Sequence, residues 1–382
     1  MLFFLIIRAY TGMVMSFTKV KIIFSPCNIF LFLQKIILRQ VRTYKNTEQL
    51  WNLTGSSERI VLVAHTNPDG DAIGSVSAMY YFLKQTGRNA AMIVPNAFPD
   101  FLSCLNPADS PVSIYRNAPQ ECNRIIAEAD LIICMDMSGP SRIDEMSDAV
   151  FQDSKAKRIL IDHHLNPVAG PFDVVISDTE VSSTCELLLS MILQAPDIAG
   201  DIDKLNLDCA TSIAAGMLTD TNNFANSIFP STLERFSMLL KRGVDRDALY
   251  NAIFCSYSAS RMKLMGHLLS EKMTLIQDGS VAFITLDKAE KDRYSYCTGD
   301  SEGFVNLPLK IRGVCMSALL TEDDGFVKVS LRSKGTLDVN LFARQYCNGG
   351  GHRNASGGRL YMDISETAAY FTASIEDYFK KA

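Results

Sequence analysis

From about residue 59 the chain alternates short, continuous apolar runs with longer stretches whose apolar residues recur at helical spacing. The runs are Ile60 to Ala64, Ala90 to Val94, Leu131 to Met135 and Ile159 to Ile161. Runs of Val, Ile, Leu, Met, Ala and Cys without polar alternation suit strands buried on both faces, as in a parallel sheet covered by helices. Between them the spacing predicts a helix over 72–86 closed by Gly87, and another over 184–193, where Ser183 and Glu186 fit a capping box. Helical pattern then dominates 203–219, 232–242 and about 245–273.

From 274 the texture changes to period-two strands with turn residues. The first pair turns at Asp278-Gly279 and the second at Asp323 to Gly325, and an amphipathic helix over 365–380 ends the chain. The pattern predicts an α/β fold with three parts after an atypical segment 1–47. These are a domain over 48–245 with a mostly parallel sheet covered by helices, a helical connector over 246–273, and a smaller α+β domain over 274–382. There is no internal repeat and no low-complexity tract.

With 382 residues and 47% hydrophobic content the chain is long enough for two domains with real cores, which excludes intrinsic disorder. Its net charge of −5 hides an asymmetry. Seven basic residues (Arg8, Lys19, Lys21, Lys35, Arg39, Arg42, Lys45) precede the first acidic one, Glu48, so the remainder carries 30 basic against 42 acidic residues, or −12. An acidic body argues against a general nucleic-acid coat and against long double-stranded nucleic acid as a partner. The apolar runs of the N-terminal segment, Leu2 to Ile7 and Ile29 to Leu33, are far shorter than the roughly 18 residues of a membrane span, so no integral span is expected. That segment reads either as an over-extended start, with Met13 or Met15 as candidate initiators, or as a weak membrane-surface or targeting segment. Ten cysteines without any close pair favour buried reduced thiols and a cytoplasmic location.

The chemistry is concentrated where strands end. Only five histidines occur, and four fall in three motifs rich in Asp, Gly or Arg. After the first strand comes His65-Thr-Asn-Pro-Asp69-Gly-Asp71, in which Pro68 and Gly70 force a turn that brings two carboxylates close to an imidazole. Asp136 follows the third run, and Asp162-His163-His164 follows the fourth. Asp220 closes a helical stretch. The carboxyl ends of parallel strands converge on one crevice, so residues far apart in sequence can share a site. A lone Asp-Gly-Asp is usually a turn, but the same ligand types at three strand ends point to a dinuclear metal site. Mixed imidazole and carboxylate donors suit Mn²⁺, with Mg²⁺ or Co²⁺ as alternatives. Asp162 could instead orient a ligand histidine.

These residues resemble the DHH phosphoesterase superfamily, named for a triplet like Asp162-His163-His164. The likeness covers the H-x-N-P-D-G-D-A-x-G segment at 65–74, Asp136, the triplet, and Thr219-Asp220. Near the C-terminus, Gly349-Gly350-Gly351-His352-Arg353 through Gly358 is similar to the signature of the associated DHHA1 domain. The resemblance implies that His65, Asp69 and Asp136 bind one divalent ion, and that Asp71, Asp136, His163 and Asp220 bind a second, with Asp136 bridging. It also implies that His164 faces the substrate phosphoryl group, so that His164, Asp136 and Asp162 form the catalytic set.

Read without the family, the glycine-rich loop offers exposed amides from Gly350 and Gly351, with His352, Arg353 and Ser356 beside them, as a cradle for an anion. Arg332 on a neighbouring strand and Arg261 in the connector are further candidate substrate contacts, though either could be a surface residue. His267 reads as an ordinary helix residue, and Trp51, Tyr80 and Tyr81 as packing groups. Within the superfamily the compact pairing resembles the oligoribonuclease and pAp-phosphatase group, which implies short RNA or nucleotide substrates and a possible homodimer. A cyclic or linear dinucleotide phosphodiesterase, and a silent nucleotide sensor, are the competing readings.

Overall fold

A computed structural model describes residues 44–381 apart from 166 and 169. The expectations for the basic N-terminal segment therefore lie almost wholly outside the described residues. The first lobe opens with α1 (Thr47–Ser56), β1 (Ile60–Val63), α2 (Gly70–Gln85), β2 (Ala90–Val94) and β3 (Ser113–Ile114). It continues through α3 (Pro119–Glu128), β4 (Leu131–Met135), β5 (Lys157–Asp162), β6 (Val174–Ser177), α4 (Thr184–Ile192), α5 (Leu207–Asp220) and α6 (Pro230–Arg242). Its six strands lie in the order β3-β2-β1-β4-β5-β6, every neighbouring pair parallel.

Each continuous apolar run is a central strand, and β1 and β4 are buried at every position. The edge strands β3 and β6 went unread because one is only two residues long and the other, Val-Val-Ile-Ser, alternates buried with half-buried positions. Reversal of strand order beside β1 opens the crevice at the carboxyl ends of β1, β4 and β5. Half-buried Trp51 on α1 packs against Phe82 of α2, so the single tryptophan is a packing group.

The expected continuous connector is broken into α7 (Arg246–Phe254) and α8 (Ala259–His267), with one π turn after α8. The break is chemical: Ser258 caps α8 by accepting from the Arg261 amide. The second lobe comprises β7 (Met273–Ile276), β8 (Val281–Leu286), α9 (Lys288–Arg293), β9 (Met316–Asp323) and β10 (Phe326–Ser333). After these come α10 (Val339–Tyr346), β11 (Gly350–Gly351), β12 (Ala355–Leu360) and α11 (Ile364–Lys381). The sheet order is β11-β12-β10-β9-β8-β7, antiparallel throughout except that β8 and β9 run parallel. Val327, Val329 and Leu331 of β10 face the core with Phe342 and Phe371 from α10 and α11, so Lys328, Ser330 and Arg332 face the other way.

Candidate metal centre

The strand ends bring six of the expected ligands together. Beyond β1, His65 sets Nδ1 2.9 Å from the carbonyl oxygen of Thr66, which requires a proton on Nδ1 and points Nε2 at the carboxylates. That Nε2 lies 3.4 Å from Asp136 Oδ2 and 3.8 Å from Asp69 Oδ1. Asp69 caps α2 by accepting from the amides of Asp71 and Ala72. On the other side, His163 Nε2 lies 3.4 Å from Asp220, 3.6 Å from Asp136 and 3.9 Å from Asp71. Two donor clusters result, His65-Asp69-Asp136 and Asp71-His163-Asp220, each with its ligand atoms within 4.8 Å of one another. Asp136 stands between them, its Oδ2 toward His65 and its Oδ1 toward His163.

The electrostatics call for cations. Burial first, and then the charges of Asp136, Asp220 and Asp69, raise the Asp71 carboxyl well above the usual range. Asp220 is raised to about 6, again by desolvation first and then by Asp69 and Asp136. Burial also opposes the charge on Asp136, but the hydrogen bond from His65 and the imidazoles around it prevail and hold that carboxyl far below its ordinary value. Four carboxylates this close cannot all ionise without positive charge among them. The imidazole and carboxylate donor set fits hard to borderline divalent ions.

The backbone at Asp136 has φ +56, a left-handed conformation that aspartate tolerates and β-branched residues do not. The groups that hold these carboxylates were not among the expected site residues. The amides of Thr184 and Cys185, at the N-terminus of α4, donate to the two oxygens of Asp71 at 2.7 and 3.0 Å. The Thr184 hydroxyl donates to Asp136 Oδ1 at 3.0 Å. The helix-start signal at 183–186 could have located them. The expected capping box is only half made: Ser183 accepts from the Glu186 amide, but the Glu186 carboxylate turns to Ser182, Ser231 and Thr232 and ties α4 to α6.

His164 takes a different place. Its Nδ1 is 2.7 Å from Asp162 Oδ1, so Asp162 orients the second histidine of the triplet. Burial opposes a charge on His164, yet the Asp162 hydrogen bond and the charges of Asp136 and Asp162 raise it to about 9. The second lobe supplies His352, whose ring stacks on His164 at 4.9 Å and lies 5.3 Å from His163. Burial and the neighbouring imidazoles push His352 down to about 3, which keeps it neutral. Its hairpin is set by close backbone contact, because a Cβ at Gly349 would lie 1.9 Å from the Gly357 carbonyl oxygen.

The remaining second-lobe candidates divide. Arg332 faces the cleft, where burial lowers its pKa against the pull of Asp220, Asp69 and Glu302. Gly350 and Gly351 pair with Gly357 and Ser356 as β11. Three candidates are occupied by the protein itself: Ser356 donates to the His352 carbonyl, Arg353 to that of Thr336, and Arg261 to those of Gly299 and Glu302. Arg261 and Ser356 are also buried, with backbone carbonyls as partners of their polar groups. His267, expected to be unremarkable, lies 2.9 Å from Glu290.

Among known proteins, 30% of residues over 331 are identical to the bifunctional oligoribonuclease and PAP phosphatase NrnA of Thermus thermophilus, covering 85% of this chain and 91% of that one. The protein of the same name from Bacillus subtilis is 29% identical over 310 residues, or 80% and 90% of the two chains. A crystal structure of an exopolyphosphatase-related protein from Bacteroides fragilis superposes with a TM-score of 0.79 at 40% identity, over 87% of this chain and 96% of that chain. Residues 59–217 match the model of the DHH family N-terminal domain and residues 279–381 that of the DHHA1 domain. With that domain pair, and with this identity to relatives along nearly their whole length, the chain belongs to the DHH family and carries a DHHA1 domain as its second lobe.

Proposed function

We propose that the chain is a phosphoesterase that hydrolyses short oligoribonucleotides and 3′-phosphoadenosine 5′-phosphate with two divalent ions. The observation that carries this reading is the pair of imidazole and carboxylate clusters meeting at Asp136, at the carboxyl end of a parallel sheet. His65, Asp69 and Asp136 would hold one ion, and Asp71, Asp136, His163 and Asp220 the other. When bound, such ions act as Lewis acids on a phosphoryl oxygen and lower the pKa of water. Mn²⁺ suits the donors best, ahead of Mg²⁺ and Co²⁺.

The chain's own residues do the rest. Asp162 fixes the ring of His164 through Nδ1, which leaves the Nε2 proton for a phosphoryl oxygen. Neutral His352, stacked on that ring, covers it from the second lobe and keeps bulk water from the cleft. Arg332 adds a cation on the same side. The names of the two relatives, oligoribonuclease and PAP phosphatase, supply the substrate class. We further propose the domain division 48–245, 246–273 and 274–382, a cytoplasmic location and a homodimer. The nine cysteines among the described residues are unpaired, as a reducing compartment favours. Among the described residues no helix is long and apolar enough to cross a membrane.

The test is phosphate release from 3′-phosphoadenosine 5′-phosphate and shortening of a 5′-labelled diribonucleotide, each with Mn²⁺ and with chelator. Turnover with Mn²⁺ that chelator abolishes is expected. Binding without turnover, or turnover undiminished by chelator, overturns the proposal, and preference for a cyclic dinucleotide would redirect it.

A further inference from the structure

The loop between α9 and β9 reaches the first lobe at Gly299. The backbone there has φ +93, and a Cβ would lie 2.5 Å from the ring of Pro99, so the two lobes interlock at a position only glycine fills. Arg261 on α8 closes the junction. It is 5% exposed, and its terminal nitrogens donate to the carbonyls of Gly299 and Glu302 at 2.8 and 2.7 Å. The guanidinium lies 3.7 Å from the centroid of Tyr257, which packs edge-on against Phe101 of the first lobe. Phe304, on the loop itself, lies 5.4 Å away. A planar fork anchored to two carbonyls of one loop fixes that loop's backbone.

The side chain thereby presented is that of Glu302. It borders a cavity of about 470 Å³ whose walls include Phe254, Tyr257, Met262, Phe304 and Leu307. Among the described residues no side-chain hydrogen bond or ion pair occupies its carboxylate. Desolvation first, and then the charge of Asp69 of the metal cluster, raise its pKa to about 7 against the pull of Arg261, Lys328 and Arg332. Glu302 is thus an exposed residue at the edge of an aromatic cavity, and the charge of Asp69 acts on it.

A carboxylate accepts hydrogen bonds and repels phosphate, so the only parts of a nucleotide that can meet it are the donors of the nucleoside. We propose that Glu302 determines specificity by accepting a hydrogen bond from a hydroxyl or amino group of the nucleoside attached to the reacting phosphate, with Arg261 as its positioning residue. This rests on the nucleotide reading above.

The test compares wild type, Glu302→Ala, Glu302→Gln and Arg261→Lys, all with Mn²⁺. The substrates are a diribonucleotide, its 2′-deoxy counterpart, a uridine dinucleotide, and bis(4-nitrophenyl) phosphate, which lacks every nucleoside donor. Loss of one charge-assisted hydrogen bond should raise KM for the preferred dinucleotide about 10- to 100-fold while kcat changes far less. Selectivity for nucleotide over bis(4-nitrophenyl) phosphate should fall by the same factor. Glu302→Gln, whose amide oxygen still accepts, should lose less. Arg261→Lys should reproduce the KM effect, and the Arg261→Lys/Glu302→Ala double variant should be no worse than Glu302→Ala. If the deoxy substrate is as insensitive to Glu302→Ala as bis(4-nitrophenyl) phosphate, the donor is the ribose hydroxyl; if the uridine substrate is, the donor is the base amine. Equal loss on all four substrates, or nucleotide KM unchanged in Glu302→Ala, overturns this proposal alone. Wild-type turnover of bis(4-nitrophenyl) phosphate without any nucleotide turnover overturns the functional reading and this one with it. Should Arg261→Lys fail to fold, the two Glu302 variants decide.

Discussion

The two lobes reach the same cleft by opposite means. The first places its functional groups at the ends of buried parallel strands, where carboxylates are clasped by backbone amides and hydroxyls of a neighbouring helix. The second brings one imidazole on a glycine hairpin and one guanidinium on the open face of a strand, and the charged groups of the first lobe act on both. The first lobe is therefore a site of concentrated charge that needs ions to be stable as it stands. The second is a site of shape, whose contribution depends on backbone fit.

Removal of the shared carboxylate should break the first half of that contrast most completely. Asp136→Ala is expected to lose on the order of 10³ or more in turnover, and metal analysis of the purified variant should find less bound Mn²⁺ than in wild type. Retention of full metal content would mean the two clusters are independent. A smaller effect is expected from Thr184→Val, which deletes the hydroxyl on Asp136 but keeps the amide on Asp71. Groups that orient metal ligands are worth about 10- to 100-fold in affinity, so calorimetric titration with Mn²⁺ should show a loss in that range.

The second lobe should respond to shape instead. Gly349→Ala drives a methyl group into the Gly357 carbonyl and should cost about 2 to 3 kcal/mol, read from urea unfolding, while Mn²⁺ affinity changes little. If metal affinity falls as much as in Thr184→Val, the lobes are not separable in this way. The smallest effect concerns the second lobe's own charges. Glu290 is buried and accepts from Lys272 at 2.7 Å and His267 at 2.9 Å. Although burial acts against its charge, these partners hold its pKa below the ordinary value. A depressed carboxyl contributes stability above its unfolded pKa and loses it as pH falls through the folded one. Glu290→Gln should therefore destabilise by about 1 kcal/mol at pH 7, and the gap to wild type should close as pH is lowered below about 4.5.

The central strands and the metal-side residues could be read from the sequence because both follow from local rules. A strand buried on both faces must be apolar throughout, and the turn after it must carry the polar groups that use the crevice. Asp162 was legible as a member of the site, but its partner was not, since which of two adjacent histidines it meets depends on ring orientation. Thr184 read only as a helix start, because its target carboxylates are 48 and 113 residues away in sequence. The carbonyl partners of Arg261 and Ser356 were hidden for a related reason. A cation or hydroxyl near a glycine loop looks available until the backbone carbonyls around it are known. The edge strands β3 and β6 were too short or too mixed to produce a pattern.

A parallel step cannot be joined by a tight turn, so the chain leaving β8 must travel back along the sheet before it can enter β9. Had that pair been antiparallel, like its neighbours, a two-residue hairpin would have sufficed and this contact with the first lobe would be lost. The obligatory return path supplies spare chain, residues 287–315, and the molecule lays part of it against Pro99 and Arg261. A reversal of direction in one strand pair thus yields a bridge between the lobes beside the one the His352 hairpin makes.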